Sequence, residues 1–139
     1  MIALDTNVIS ALMRREPDET VRRWLDDRPA ESIWITAVSV FEIRFGIQTL
    51  GEGRRRRQLE ADFARLLVDD LQGRILHFDD GAAEAAARLA AHRKPLGRIG
   101  DLRDTLIAGI VISRKAELAT RNLRHFQDLE VPVIDPWAR

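Results

Sequence analysis

Four segments place oxygen-bearing side chains where a parallel sheet would expose them: Ile2-Ala3-Leu4-Asp5-Thr6-Asn7, Glu42, Asp104, and Thr120-Arg121-Asn122. An apolar strand that ends in Asp delivers its carboxylate to the carboxyl edge of an open α/β sheet, where such folds bind ligands. Oxygen donors of this kind, with no cysteine and no paired-histidine motif, suit Mg2+ or Mn2+ rather than zinc. A hard cation lowers the pKa of a bound water and neutralises charge developing on a phosphate, so a phosphodiesterase built this way needs no side-chain nucleophile.

Each acid also has a purely structural reading. Asp5 could cap the helix that follows it, although a cap need not follow a three-residue apolar strand. Val38, Phe41 and Phe45 lie at i−4, i−1 and i+3 from Glu42, so Glu42 shares a side with apolar neighbours. Left unfunctional, it would pair with Arg44 or with an Arg from a neighbouring helix. Asp104 falls in the first turn of its helix, where the macrodipole favours an anion. Asp101 already fills the capping position there, which makes Asp104 the better candidate for chemistry. Asn122 follows a later strand as the counterpart of Asp5. His77, His92 and His125 are scattered and read as structural or solvated, with His125 close enough to the Asn122 segment to approach the site.

Positioning these groups requires alternating strands and helices. β-branched runs predict strands at Ile2–Leu4, Ile33–Ile35, Arg74–Phe78, Glu117–Thr120 and Val131–Ile134. Helical spacing predicts Asn7–Met13, a segment with Pro17 in its first turn and Val21, Trp24 and Leu25 on one side, and Ala37–Leu50. Arg54-Arg55-Arg56-Arg57 reads as a solvated turn that could instead track a nucleic-acid backbone. A helix carrying Leu59, Phe63, Leu66, Leu67 and Leu71 follows, then an alanine-rich helix capped by Asp79 or Asp80 and broken at Lys94-Pro95-Leu96-Gly97, then Leu102–Arg114. Trp24 and Trp34 sit at core-like positions. The fold class is α/β: one domain over residues 1–139, with a five-stranded parallel sheet flanked by helices on both faces.

At 139 residues the chain suits one domain with a sizeable core. Lys+Arg of 22 balances Asp+Glu of 22, so no global attraction to a polyanion is expected. Nearly all the cations are Arg, whose planar fork suits phosphate. The lack of cysteine excludes disulfides, thiolate zinc sites and a Cys nucleophile, and fits a reducing cytoplasm. No signal peptide or apolar run of about 18 residues is present, so no membrane association is expected. No Gly-rich phosphate loop or nucleophile elbow occurs.

Taken together, Leu4-Asp5-Thr6-Asn7-Val8-Ile9-Ser10, Ser39-Val40-Phe41-Glu42-Ile43-Arg44-Phe45-Gly46, Asp104-Thr105-Leu106-Ile107-Ala108, and Ala119-Thr120-Arg121-Asn122 with His125-Phe126 resemble the PIN-domain nucleases, and within them the VapC-type toxins of toxin–antitoxin pairs. Pro132-Val133-Ile134-Asp135-Pro136-Trp137 is similar as well, so the resemblance spans nearly the whole chain. It implies a Mg2+-dependent endoribonuclease in which Asp5, Glu42 and Asp104 are the catalytic, metal-holding acids. Thr6, Asn7, Thr120 and Asn122 would contact those acids or water; Arg121 and Arg124, which lie beside these residues, are the candidates for contact with RNA phosphate, ahead of the Arg54–Arg57 run. Relatives often carry another Asp where Asn122 and His125 stand here, which favours one tightly bound metal with another recruited by the RNA. A homodimer and a cognate antitoxin lying over the acidic groove are also implied.

Two rival readings carry different expectations. A receiver-like phosphoacceptor domain would use Asp79 but needs a lysine at a strand end, and Lys94 and Lys115 fall in or beside helices. A PIN fold that binds RNA or a partner without cutting would explain the missing fourth acid.

Overall fold

The computed structural model describes residues 1–138. Five parallel strands form one sheet: β1 (Ile2–Leu4), β2 (Ile33–Thr36), β3 (Ile75–Leu76), β4 (Glu117–Ala119) and β5 (Val133–Ile134), in the order β3-β2-β1-β4-β5. The helices are α1 (Thr6–Leu12), α2 (Glu19–Asp26), α3 (Ala37–Gln48), α4 (Arg54–Arg65), α5 (Asp80–Arg93) and α6 (Leu102–Arg114). The chain grows outward from β1 to β3, crosses back through α5 and α6, and inserts β4 on the other side of β1. Strand order therefore reverses between β1 and β4, and sheets of this kind open a crevice at that point.

Alternation along the strands gives the sheet two apolar faces. Leu4, Ile33 and Ile35 pack with Val8 and Ile9 of α1, Val21 of α2, Ile43 and Ile47 of α3, and Phe63 of α4. Ala3 and Leu118 point the other way and pack with Ala82 of α5, Ile107, Ile110 and Val111 of α6, and Phe126. Helices on both faces are the expected α/β architecture. Gly109 marks where α5 and α6 come closest: a Cβ there would lie 2.5 Å from the Ala82 carbonyl and 2.6 Å from Ala86 Cβ. The small residues of α5 allow that approach, and the added methyl would collide with backbone.

Several boundaries differ from the sequence expectation. Pro17 lies outside α2, because Asp18 is the cap and accepts hydrogen bonds from Thr20 N and Val21 N. The four arginines form the first turn of α4, not a turn between helices. Their position opposes the macrodipole, and Arg56 is partly compensated by Glu60 one turn on, at 2.9 Å. The helical path then widens over Leu66–Asp70 and ends at Leu71, which keeps Leu67 and Leu71 in the core. The expected strand at Arg74–Phe78 contracts to two residues because β3 is an edge strand paired only with β2. The expected Val131–Ile134 strand starts at Val133, since Pro132 has no N–H to pair. Trp24 and Trp34 are half-buried against the two cores. Among the described residues no helix is long and apolar enough to cross a membrane.

Candidate active site

Strand register assembles the site. Leu4 pairs with Ile35 on one side and Ala119 on the other, so the next residues, Asp5, Thr36 and Thr120, stand side by side at the carboxyl edge of β1, β2 and β4. The Asp5 amide still donates to the Ala119 carbonyl at 2.9 Å, which holds the two strand ends together. Asp5 is only 4% exposed. Its carboxylate accepts from the Thr6 amide at 2.8 Å and from the Thr120 hydroxyl at 2.7 Å, so it caps α1 as well as facing the crevice. Asn7 braces the pair, with Nδ2 3.4 Å from Thr120 Oγ1 and Oδ1 accepting from the Arg121 amide at 3.2 Å. The Asn122 amide donates to Thr120 Oγ1 at 3.0 Å while its side chain lines the cleft.

Asp5, Glu42 and Asp104 line one open cleft of about 350 Å3, with Arg14 and Arg121 also on its walls. Glu42 comes from α3, whose N-terminus is capped by the Thr36 hydroxyl. Its Oε1 lies 2.9 Å from Thr6 Oγ1, which is itself 3.0 Å from Ser39 Oγ. An ionised carboxylate only accepts, so the single Thr6 proton goes to Glu42 and Ser39 supplies the other contact. Arg103 of α6 reaches Glu42 Oε2 at 3.5 Å. That is the neighbouring-helix pairing foreseen for Glu42; Arg44 instead lies over the Phe63 ring. Of the apolar neighbours expected around Glu42, Val38 is buried, but Phe41 and Phe45 are 56% and 55% exposed and stack on each other. Glu42 therefore stands at the edge of the cleft, where water reaches it.

Asp104 is half-buried on α6, with Asp101 capping the helix through the Arg103 amide at 2.7 Å, as the sequence suggested. Its Oδ2 is 2.7 Å from His125 Nδ1. His125 was expected to be structural or solvated; it is exposed, and it also fixes one of the site's acids.

Burial raises the pKa of Asp5 above the ordinary carboxylate value, the hydrogen bonds from Thr120 and Thr6 lower it, and the charges of Asp104 and Glu42 raise it again. A buried carboxylate that shares one crevice with two further acids favours a cation between them. Among the described residues no group of three His, Asp or Glu side chains is placed so that it could hold a metal ion by itself. An open, oxygen-only set fits Mg2+, which keeps several waters and is commonly held by one or two carboxylates plus substrate phosphates. Asp5 and Asp104, with Glu42 beside them, suit such a cation.

The receiver-like reading fails on this geometry. Asp79 caps α5, accepting from the Ala82 amide at 3.0 Å, and pairs with Arg114 at 3.1 Å. Lys94 lies in the break after α5, and Lys115 follows α6 in a left-handed conformation.

A sequence model of the PIN domain matches residues 2–131. The chain belongs to the PIN-domain family. The VapC ribonuclease Y4jK of Sinorhizobium fredii is 35% identical over 137 residues, which cover 99% of this chain and 98% of the relative. Toxin FitB of Neisseria gonorrhoeae is 34% identical over 99% of both chains. The crystal structure of FitAcB from Neisseria gonorrhoeae superposes with a TM-score of 0.90 at 33% identity, covering the whole of both chains. In this PIN domain the crevice at the β1/β4 reversal is thus the acid cleft.

The structure gathers Asp5, Thr6, Asn7, Glu42, Asp104, Arg121 and Asn122 at that cleft, with Thr120 buried beneath it. It separates Arg121 from Arg124: Arg121 stays on the acid cleft and lies over the Trp137 ring, whereas Arg124 lines an adjacent cavity. Sequence reading assigned no role to Ser39, Arg103 or Arg14. Ser39 sits three residues before Glu42 on the same helical side, a spacing that could have pointed to it; no local pattern marks the two arginines.

Proposed function

We propose that this PIN domain is the toxin of a toxin–antitoxin pair, a Mg2+-dependent endoribonuclease that hydrolyses RNA phosphodiester bonds, with Mn2+ able to replace Mg2+. The observation that carries the reading is a buried Asp5 that shares one open cleft with Glu42 and Asp104. The name of the VapC ribonuclease supports the activity, and that of toxin FitB the toxin role.

Asp5 and Asp104 would hold the cation, with Glu42 a further ligand or the base beside it. When bound, the cation lowers the pKa of a water and neutralises charge on the phosphate. Hydrogen bonds from Thr120 and the Thr6 amide orient Asp5 and favour its ionised form, and His125 fixes the rotamer of Asp104. As the base, Glu42, aimed by Thr6, would orient the attacking water and accept its proton; as a ligand it would complete the carboxylate set. Arg14 and Arg121 offer positive charge to the phosphate at the cleft walls. Asn122 adds an amide where a fourth acid would add charge, which favours one tightly held metal over two.

An antitoxin covering the cleft belongs to this proposal, as do a homodimeric state and a cytoplasmic location. Incubating the purified protein with RNA in Mg2+, Mn2+ or EDTA tests the activity. Cleavage in either metal and none in EDTA is expected. RNA bound but uncut under every condition would leave a PIN fold that binds without cutting.

A further inference from the structure

A second cavity of about 330 Å3 adjoins the acid cleft and shares Asp104 with it. One wall is the break after α5, where Gly97 and Gly100 take left-handed conformations (φ 68° and 67°) on either side of Arg98. The other wall is the short helical turn Leu123–Phe126, which carries Arg124 and His125 and is anchored by the fully buried Phe126.

Arg93 joins the two walls. It is 4% exposed, and its guanidinium grips Asp128 through two bonds of 2.8 and 2.7 Å and the His125 carbonyl through a third of 3.1 Å. The Arg93 carbonyl accepts from the Arg98 amide at 3.0 Å. One buried side chain therefore sets the distance between the backbone bearing Arg98 and the backbone bearing Arg124.

Charge accounting then singles out two cations. Each acid on this cavity has a side-chain contact: Asp128 has Arg93, Asp104 has a hydrogen bond with the His125 ring, and Asp101 has Arg103 at 3.6 Å. Among the described residues Arg98 and Arg124 are exposed and form no ion pair within 4 Å, although the Arg98 charge reaches Asp128 and helps lower its pKa. Two unpaired guanidinium groups on a preformed wall, contiguous with a cleft that repels a polyanion until metal enters, match a backbone phosphate.

We propose that this cavity is a phosphate-binding subsite for the RNA strand beyond the bond being cut, with Arg98 and Arg124 as its contacts. The proposal rests on the nuclease reading. It names the direction in which the strand leaves the acid cleft: past Asp104 and His125, between α6 and the turn that follows β4. Contacts of this type position a strand without reading its sequence.

The test measures binding of fluorescent oligoribonucleotides across a range of salt concentrations, with Ca2+ in place of Mg2+ to fill the acid cleft and with intact RNA verified by gel. Arg98→Gln with Arg124→Gln is expected to weaken hexanucleotide binding at least tenfold at low salt, equally for unrelated sequences. The slope of log K against log salt should flatten by about 1.4, since each single-strand phosphate contact contributes about 0.7. A dinucleotide confined to the acid cleft should bind parent and variant alike, and the Lys-for-Arg pair should retain the slope. An unchanged slope in a variant that keeps the parent melting temperature overturns the subsite, as does an equal loss for the dinucleotide. If RNA is cut by wild-type protein but the slope does not move, only the subsite falls. If the chain neither binds nor cuts RNA, the nuclease reading falls with it.

Discussion

Thr120→Val replaces a fully buried hydroxyl by a methyl of nearly the same shape and removes the 2.7 Å hydrogen bond to Asp5 Oδ2. A hydrogen bond to a charged group contributes about 2 kcal/mol. The Asn122 amide, which also uses this hydroxyl, belongs to an exposed residue where water can replace it. Loss of about 2 kcal/mol in a chain of this length lowers the melting temperature by roughly 7 °C. The loss carries a pH signature. Burial already raises the Asp5 pKa above 3.8, and Thr120 opposes that rise, so the valine variant raises it further. Both folded values then exceed the unfolded one. The destabilisation relative to wild type is complete above the variant's folded pKa and fades as pH falls through the wild-type value. Since only ionised Asp5 holds a cation, the acid limb of metal-dependent RNA cleavage should move to higher pH. Thermal melts in EDTA and single-turnover cleavage across pH read both effects. A loss of stability that is equal at every pH, together with an unmoved acid limb, would refute the role given to Thr120.

Four further outcomes follow from the same structure. Asp5→Asn removes a buried charge whose pKa is raised, a penalty present above its folded pKa and gone below 3.8, so in EDTA at neutral pH the variant should melt above wild type, as scanning calorimetry would show. Gly109→Ala forces a methyl against the Ala82 carbonyl and should cost about 2 kcal/mol in urea unfolding; no loss would mean that α5 and α6 separate without penalty. Asp128→Asn leaves the buried Arg93 short of its partner and should cost about 3 kcal/mol. Because Arg93 holds the Asp128 pKa below 3.8, wild type keeps this contribution above that pH and loses it as pH falls through the folded value, so the two proteins should converge in acid. Arg103→Ala breaks a half-exposed pair with Glu42 and should change stability by less than about 1 kcal/mol in the same unfolding assay.

The sheet and the position of Asp5 were readable because each rests on a local rule. A short β-branched run bounded by polar residues marks a strand, and an acid directly after it must emerge at the sheet edge. Asp104 was readable for a similar reason: Asp101 satisfied the helix start and left a second acid unexplained. What escaped depends on contacts between distant segments. The Arg93–Asp128 pair and the Asp104–His125 contact join residues far apart in sequence, and no periodicity announces them. Phe41 and Phe45 misled because helical spacing gives a residue's side but not whether another element covers that side. The four arginines misled because a charged run at a helix start contradicts the dipole, and the buried Phe63, Leu67 and Leu71 overrule it. Arg98 gave no signal at all, since its place is set by two left-handed glycines and by a carbonyl of a buried arginine.

The central claim, that the acids of the β1/β4 crevice hold the cation that drives RNA cleavage, is tested most directly by calorimetric titration of Mg2+ into wild-type protein and into Asp5→Asn and Asp104→Asn variants of confirmed native fold. Wild type should bind Mg2+ and cut RNA, and each variant should lose at least tenfold in affinity with a matching fall in cleavage. Equal Mg2+ affinity and undiminished cleavage in the three proteins would contradict the account.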